Sequence, residues 1–148
     1  MQNTLILIKP DGIQRGLVGE MISRFERKGL KIVALKMLRA TPELVSRHYS
    51  EHCEKPFYPE LEKYITCSPI IAMVVSGPDV VAVVRQMIGP TDGLIAPAGT
   101  IRGDFSTNYR FNLIHASDSE AAAEQEIAWF FHASEIFDYD LALAPWFG

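Results

Sequence analysis

The chain has 148 residues, of which 48% are hydrophobic and 22% are charged, and its formal net charge is −4. These values exclude a disordered chain, a collagen-like repeat and a disulfide scaffold, and the length predicts one domain over residues 1–148. The acidic balance weighs against a general nucleic-acid or anionic-membrane surface, because such a surface needs a basic footprint.

The first part of the chain predicts a strand, a helix and a second strand. Thr4 to Ile8 is an apolar run typical of a strand buried on both faces, and Pro10-Asp11-Gly12 then predicts a turn. Apolar residues at helical spacing from Val18 to Phe25 predict an amphipathic helix. The alternation from Lys31 to Arg39 predicts a strand, with every second residue from Val33 to Met37 on one face.

A helical hairpin, a strand and a helix are predicted next. Thr41 is a typical N-cap for a helix running to about Cys53, and a second short helix is expected from Pro59 to Tyr64. Pro69 to Val75 predicts another central strand. The apolar stripe from Val80 to Met87 predicts the helix that follows.

The last part of the chain begins with a long segment that has no regular pattern. Gly89 to Tyr109 predicts a loop, and loops of this length are usually functional or disordered. Arg110 to His115 predicts the last strand, and the capping box Ser117-x-x-Glu120 predicts a helix that starts at Ser117. The apolar tail from Phe137 to Gly148 is expected to pack on the body or on a neighbouring subunit.

The order of these elements, β-α-β-(αα)-β-α-β-α, predicts an α+β fold. It matches a ferredoxin-like βαββαβ sandwich, in which a four-stranded antiparallel sheet carries helices on one face, with an inserted helical hairpin.

Cysteine content and apolar run length bear on the compartment. Cys53 and Cys67 are too few for a disulfide framework, which favours a reducing compartment. The N-terminus lacks the basic region of a signal peptide, and no apolar run approaches the roughly 20 residues that span a bilayer. We therefore expect a cytoplasmic protein without a membrane partner.

Considered from the residues alone, the chemistry centres on one histidine and a few cations. His115 ends an apolar strand beside a helix start, where free N–H groups favour an anion. A histidine can act as a nucleophile when a third group orients its ring, and Glu126 is placed to do so by the helical period. A structural role for His115 stays open. The candidate cations are Lys9, Arg85 and Arg102. They form a phosphate clamp if they converge, and otherwise they are solvated surface residues; both interpretations stay open.

Other candidates give weaker signals. Tyr49 and Phe57 border the hairpin, either as core residues or as a face on which a base stacks. His48 and His52 have the i, i+4 spacing of a metal pair, but they lack an obvious third ligand, so we expect no metal site built by the protein. The P-loop and the motifs of protein kinases are absent, so phosphate chemistry must use another device.

Three separated segments resemble motifs of the nucleoside diphosphate kinase family. They read Ile-Lys-Pro-Asp-Gly from Ile8, Gly-Thr-Ile-Arg-Gly-Asp-Phe from Gly99 and Asn-Leu-Ile-His-Ala-Ser-Asp-Ser from Asn112. The match runs in consistent order and spacing from about Thr4 to Phe131.

The resemblance implies a phosphotransferase that moves the γ-phosphate of a nucleoside triphosphate, such as ATP or GTP, to a nucleoside diphosphate. The family's ping-pong cycle passes through a phosphohistidine. By motif position His115 matches the nucleophile, Glu126 the carboxylate that orients its ring, and Ser117 the hydroxyl beside that pair. The residues that match contacts to phosphates or ribose are Lys9, Tyr49, Arg85, Thr91, Arg102 and Asn112. Lys9 also matches a catalytic position, and Phe57 matches the aromatic residue that stacks on the base.

The resemblance also implies Mg²⁺ held mainly by nucleotide phosphates, without dedicated protein ligands, and a homo-oligomer, with a hexamer favoured over a tetramer. Two positions depart from the family pattern. Ala116 replaces the usual glycine, and its methyl is expected to narrow the pocket or fix the turn. Gly93 replaces a common proline, which is expected to loosen the loop.

The alternative is a non-catalytic nucleotide-binding or sensing module on the same fold. Such a relative is expected to have lost His115, Lys9 or an arginine, and this chain retains them. Nucleic acid is not expected as a main partner, because the central strands lack the exposed aromatics of an RNA-recognition sheet.

Overall fold

The computed structural model describes residues 1–148. The four strands are β1 (Gln2–Ile8), β2 (Lys31–Leu38), β3 (Ile70–Gly77) and β4 (Ile114–Ala116). The seven α-helices are α1 (Pro10–Gln14), α2 (Val18–Arg27), α3 (Pro42–His48), α4 (Tyr58–Thr66), α5 (Val80–Ile88), α6 (Ile101–Phe105) and α7 (Glu120–Phe130). Three 3-10 turns cover Ser50–His52, Ala133–Glu135 and Ala144–Trp146.

The strands form one sheet in the order β2-β3-β1-β4, and every neighbouring pair is antiparallel. This is the predicted ferredoxin-like arrangement, which is confirmed. The central pair, β1 and β3, is in register from Gln2 opposite Gly77 to Ile8 opposite Ile71. The short edge strand β4 pairs with the end of β1, so the site residues of β4 lie beside Lys9.

Both faces of the sheet are covered, whereas the sequence predicted helices on one face with an added hairpin. Along β1, Leu5 and Leu7 enter one core while Ile6 and Ile8 enter the other. Helices α3, α4 and α7 cover the first face, and α2 and α5 cover the second. Because successive strand residues point to opposite faces, an unbroken apolar strand requires cover on both sides.

Strand β2 contains a bulge, so the predicted alternation of its residues between the two faces is wrong after Val33. Its register against β3 shifts between Ile32 and Ala34, which makes Val33 the extra residue. An extra residue reverses the faces of the residues that follow it. Val33 is therefore buried, whereas Leu35 and Met37 are 51% and 59% exposed at the edge of the sheet.

Two predicted elements differ in the first half of the chain. Pro10-Asp11-Gly12 opens the short helix α1 rather than forming a simple turn. Thr41 caps α3 as predicted, since its side chain accepts a hydrogen bond from Leu44 N at 3.2 Å. Helix α3 ends at His48 instead of Cys53, because the chain tightens into the 3-10 turn at Ser50–His52.

The segment predicted as a loop contains helix α6. Thr100 caps this helix, with its hydroxyl accepting from Gly103 N at 3.0 Å. A Cβ at Gly103 would lie 1.9 Å from Pro97 O, so the turn into α6 requires glycine. Five residues are too few to show a helical period, which is why the sequence pattern missed the element.

Helix α7 begins at Glu120 with Ser119 as its N-cap, and the predicted start at Ser117 is wrong. The tail packs on the body along β2, where Phe137 N donates to the carbonyl of the bulged Val33 at 2.9 Å. Farther on, Phe147 covers Gly29. None of the helices combines the length and the apolar character needed to cross a membrane.

Candidate active site

The site is built where β4 begins, and a sharp turn sets its geometry. In a regular strand Asn112 and His115 would point to opposite faces. Leu113 instead has φ +75°, and Ile114 N donates to Asn112 O at 2.8 Å, which is a γ-turn. The strand predicted from Arg110 therefore starts only at Ile114. The turn places the side chain of Asn112 against Lys9 at the end of β1.

His115, Glu126 and Ser117, which the resemblance grouped together, are in direct contact. His115 Nε2 lies 2.9 Å from Glu126 Oε1, and the hydroxyl of Ser117 donates to the same oxygen at 2.9 Å. Ser117 is fully buried, and its Oγ also accepts from Leu5 N at 3.2 Å. Burial raises the pKa of the Glu126 carboxyl, and the hydrogen bond from Ser117 opposes that rise. One oxygen of the Glu126 carboxylate therefore contacts both His115 and Ser117.

The ring of His115 is neutral. Burial lowers its pKa to about 3, and the positive charges of Lys9, Arg102 and Arg85 add to this effect. In a neutral imidazole one nitrogen carries the proton and the other a lone pair. Because Nε2 faces a carboxylate, the proton belongs on Nε2, and Nδ1 carries the lone pair.

The three predicted cations converge around His115. Lys9 Nζ donates to Asn112 Oδ1 at 2.7 Å, and Arg85 Nη1 donates to Ala116 O at 3.3 Å. Burial lowers the pKa of Lys9 to about 7, with a further decrease from the charge of Arg102. An anion in this region would meet all three positive charges.

Arg102 lies in helix α6 rather than in a loop, and it is only 4% exposed. Its guanidinium donates to three carbonyls, those of Asn112 at 3.2 Å, Gly89 at 3.0 Å and Ile114 at 2.6 Å. Burial lowers its pKa to about 10, so it stays charged at neutral pH. Arg102 therefore ties the segment after α5 to the γ-turn and β4.

A cavity of about 340 Å³ opens onto His115 and Glu126. Its lining includes the predicted Tyr49, Arg85 and Thr91. The lining residues without a predicted nucleotide role are His48, Ser50, Glu51, His52, Ala116, Asp118, Ala122, Gln125 and Trp129.

The remaining predicted residues lie outside the lining. Lys9, Arg102, Asn112 and Ser117 are buried, and Phe57 is 49% exposed at the rim, with its ring 5.4 Å from that of His52.

His48 is the main residue whose position the sequence did not indicate. Its ring centroid lies 4.4 Å from that of His115, and both of its ring nitrogens are buried without a hydrogen-bond partner. Burial lowers its pKa to about 3. His48 offers a ligand atom within 4.8 Å of those of His115 and Glu126, a set that excludes His52. The surrounding cations oppose a metal ion bound directly to these three groups.

The two departures from the family pattern have different surroundings. Ala116 packs in the core with Ile6 and also borders the cavity. Gly93 is packed so closely that a Cβ would lie 2.2 Å from Ser106 O. Asp92 Oδ1 accepts from Leu94 N at 3.0 Å, which anchors the loop that was expected to loosen.

Comparisons with known proteins give one consistent answer. The family model described as nucleoside diphosphate kinase matches residues 2–136. The nucleoside diphosphate kinase of Rhodopirellula baltica is 54% identical, over 98% of this chain and 95% of that protein. The enzyme of Kosmotoga olearia is also 54% identical, over 99% of this chain and 100% of its own.

Solved structures agree with the sequence comparisons. A halophilic nucleoside diphosphate kinase from Halobacterium salinarum, in complex with CDP, superposes with a TM-score of 0.97 at 46% identity, over 99% of this chain and 98% of that chain. A nucleoside diphosphate kinase family protein from Babesia bovis gives a TM-score of 0.97 at 40% identity, over 100% of both chains.

Proposed function

The chain belongs to the nucleoside diphosphate kinase family and is a phosphotransferase; from this premise we propose a ping-pong cycle through a phosphohistidine at Nδ1 of His115. The observation that carries the proposal is the bond between His115 Nε2 and Glu126, which leaves Nδ1 as the free nucleophilic atom. A non-catalytic module is not favoured, because relatives 54% identical over nearly the whole chain are named as the enzyme.

In the first half-reaction the lone pair of His115 Nδ1 attacks the γ-phosphorus of a bound nucleoside triphosphate. The Nδ1–P bond forms, the bond from phosphorus to the bridging oxygen breaks, and the nucleoside diphosphate leaves with that electron pair. The proton on Nε2 stays in place. The ring becomes cationic, and the Glu126 carboxylate at 2.9 Å stabilises it.

Three cations stabilise the charge that spreads over the phosphoryl oxygens in the transition state. Phosphoryl transfer depends on positioning and electrostatics more than on covalent chemistry by the protein. Lys9, Arg85 and Arg102 surround the attack site, and the buried Lys9 and Arg102 act at low dielectric, where fixed charges are worth most. The same charges keep His115 deprotonated and ready to attack.

In the second half-reaction a nucleoside diphosphate takes the phosphoryl group by the reverse path. Asn112 and Lys9 contact the sugar and phosphates, with Tyr49 and Thr91 at the cavity wall. Phe57 at the rim stacks on the base. Every base offers a π-face, so ATP, GTP and other nucleotides are all substrates.

Mg²⁺ fits this site as an ion carried by the nucleotide. The one cluster of three potential ligand side chains supplies two nitrogens and a carboxylate oxygen, whereas Mg²⁺ prefers oxygen ligands and keeps several waters. The free carboxylates at the cavity are Glu51 and Asp118. When bound to the phosphates, Mg²⁺ offsets part of their negative charge.

The chain forms a homo-oligomer, with a hexamer favoured over a tetramer. Leu35 and Met37 on the edge strand β2 and Phe137 in the tail are exposed apolar side chains that a second copy would cover. Native mass spectrometry tests this proposal by giving the number of subunits in the assembly. Cys53 and Cys67 are free thiols, in keeping with the reducing cytoplasm as the compartment.

Steady-state kinetics test the cycle. Initial rates measured against ATP at several fixed concentrations of a diphosphate are expected to give parallel double-reciprocal lines. His115→Ala is expected to abolish exchange, whereas His132→Ala, an exposed histidine outside the cavity, serves as the matched control. Intersecting lines would indicate direct transfer between two bound nucleotides and would contradict the phosphohistidine.

A further inference from the structure

We infer that Asp11 is a positioning residue, which holds Leu113 in its left-handed conformation and thereby aims Asn112 and Lys9 at the nucleotide. The inference rests on the proposed function for the identity of the ligand. Asp11 has no part in the resemblance-based site, and it does not line the cavity.

The carboxylate of Asp11 joins three separate parts of the chain. Its Oδ2 accepts a hydrogen bond from Leu113 N at 3.1 Å, immediately before β4. Its Oδ1 accepts from the hydroxyl of Tyr64 in α4. Asp11 itself lies in α1, two residues after Lys9. Because Tyr64 packs edge-on against Phe111, its hydroxyl holds the carboxylate from a fixed position.

Leu113 needs this support because its backbone is strained. A branched residue rarely adopts φ +75°, and such a conformation persists only where the surroundings fix it. The side chain is fully buried, and the carbonyl of Leu113 accepts from Lys9 N at 2.9 Å. The backbone N–H of Leu113 is the remaining polar group, and Asp11 accepts its hydrogen bond.

The strain is transmitted to the site through Asn112. Asn112 Oδ1 accepts from Lys9 Nζ at 2.7 Å, and its Nδ2 donates to Thr91 O at 3.4 Å. If Leu113 relaxed to a negative φ, the peptide plane that it shares with Asn112 would rotate. The amide of Asn112 would then lose its direction, and Lys9 would lose the oxygen that orients it.

The test is a double-mutant cycle on the binding of GDP, measured by calorimetry. Asp11→Ala is expected to weaken binding about 10- to 100-fold, the usual effect of losing a hydrogen bond to a charged group. Asp11→Asn keeps one oxygen for Leu113 N and replaces the other with an amide NH₂ beside the hydroxyl of Tyr64, so it is expected to restore part of the affinity. In an Asn112→Ala background, Asp11→Ala is expected to have little further effect.

A matched control separates positioning from general destabilisation. Asp104 also bridges a side chain and a backbone N–H, those of Arg24 and Gly99, but it lies outside the cavity. Asp104→Ala is expected to leave the affinity for GDP unchanged. If Asp11→Ala does not fold, Tyr64→Phe serves in its place, since it removes one bond to the carboxylate and keeps the ring. Tyr64→Phe is expected to weaken GDP binding less than Asp11→Ala does. In the Asn112→Ala background, Tyr64→Phe is expected to have no effect on GDP binding.

Additive losses from Asp11→Ala and Asn112→Ala would overturn the inference, and so would an Asp11→Asn variant as weak as Asp11→Ala. These outcomes are distinct from a failure of the proposed function. GDP binding requires no transfer, whereas failure of the histidine cycle appears as an unmodified wild-type protein after incubation with ATP.

Discussion

Replacing Arg102 by alanine is expected to destabilise the fold as well as the site. A loop position, as the sequence suggested, would have cost activity alone. The structure instead places the guanidinium against the carbonyls of Asn112, Gly89 and Ile114. The Asn112 carbonyl keeps its hydrogen bond from Ile114 N. Leaving a buried carbonyl without a partner costs about 1–3 kcal/mol, so loss of the other two bonds lowers the free energy of unfolding by about 2–6 kcal/mol. That is a large share of a typical total of about 5–15 kcal/mol.

Urea denaturation and thermal unfolding measure this loss, which corresponds to a fall in Tm of roughly 5 °C or more for a chain of this length. Arg85→Ala is the matched control. Arg85 is exposed, makes one 3.3 Å bond to Ala116 O and lies at the same site. Its removal is expected to slow transfer while changing stability by no more than about 0.5 kcal/mol. An Arg102→Ala protein with an unchanged unfolding midpoint would refute the reasoning.

Four further predictions concern the chemistry and the stability. Glu126→Gln is expected to slow single-turnover phosphorylation about 10²- to 10⁴-fold, because it removes the charge facing His115 Nε2 and disturbs the tautomer; an unchanged quench-flow rate would contradict this. The kcat/KM is expected to fall as pH rises above about 7, where Lys9 loses its proton, and to show no acid limb down to about pH 5, since burial lowers the pKa of His115 to about 3. Stability of the free protein then rises from about pH 7 to 10, because the unfolded chain keeps the Lys9 proton that the folded chain has lost, and a flat profile in urea titrations would count against it. Phe57→Ala is expected to weaken purine and pyrimidine diphosphates alike by about 1–3 kcal/mol, and a loss confined to one base would rule out simple stacking.

The sheet order and most helices follow from the sequence because their patterns are local and long. The strands β1 and β3 are unbroken apolar runs, and α2 carries an amphipathic stripe at helical spacing. Helix α6 and the bulge at Val33 show no such pattern, since a five-residue helix and a one-residue insertion leave no periodic signal. The start of α7 was misplaced because two serines compete as caps, and Ser117 is drawn inward by Leu5 and Glu126.

Some contacts of the candidate site could also be predicted from the sequence, and others could not. The pairing of His115 with Glu126 could be anticipated from the helical period and the family motif, and the two side chains lie 2.9 Å apart. The contact of His48 with His115 joins distant parts of the chain, so no local pattern indicates it. The structural use of Arg102 was missed for a different reason: in a sequence, a buried arginine bound to carbonyls looks the same as a solvated one.

Intact-protein mass spectrometry tests the central claim most directly. After incubation with ATP and Mg²⁺ and removal of nucleotide, the wild-type chain is expected to gain one phosphoryl group, about 80 Da, that is labile in acid, stable in alkali and discharged by a nucleoside diphosphate. His115→Ala is expected to bind nucleotide and gain no mass. A wild-type chain that binds nucleotide but stays unmodified, or an adduct that persists in His115→Ala, would contradict the phosphohistidine cycle at this residue.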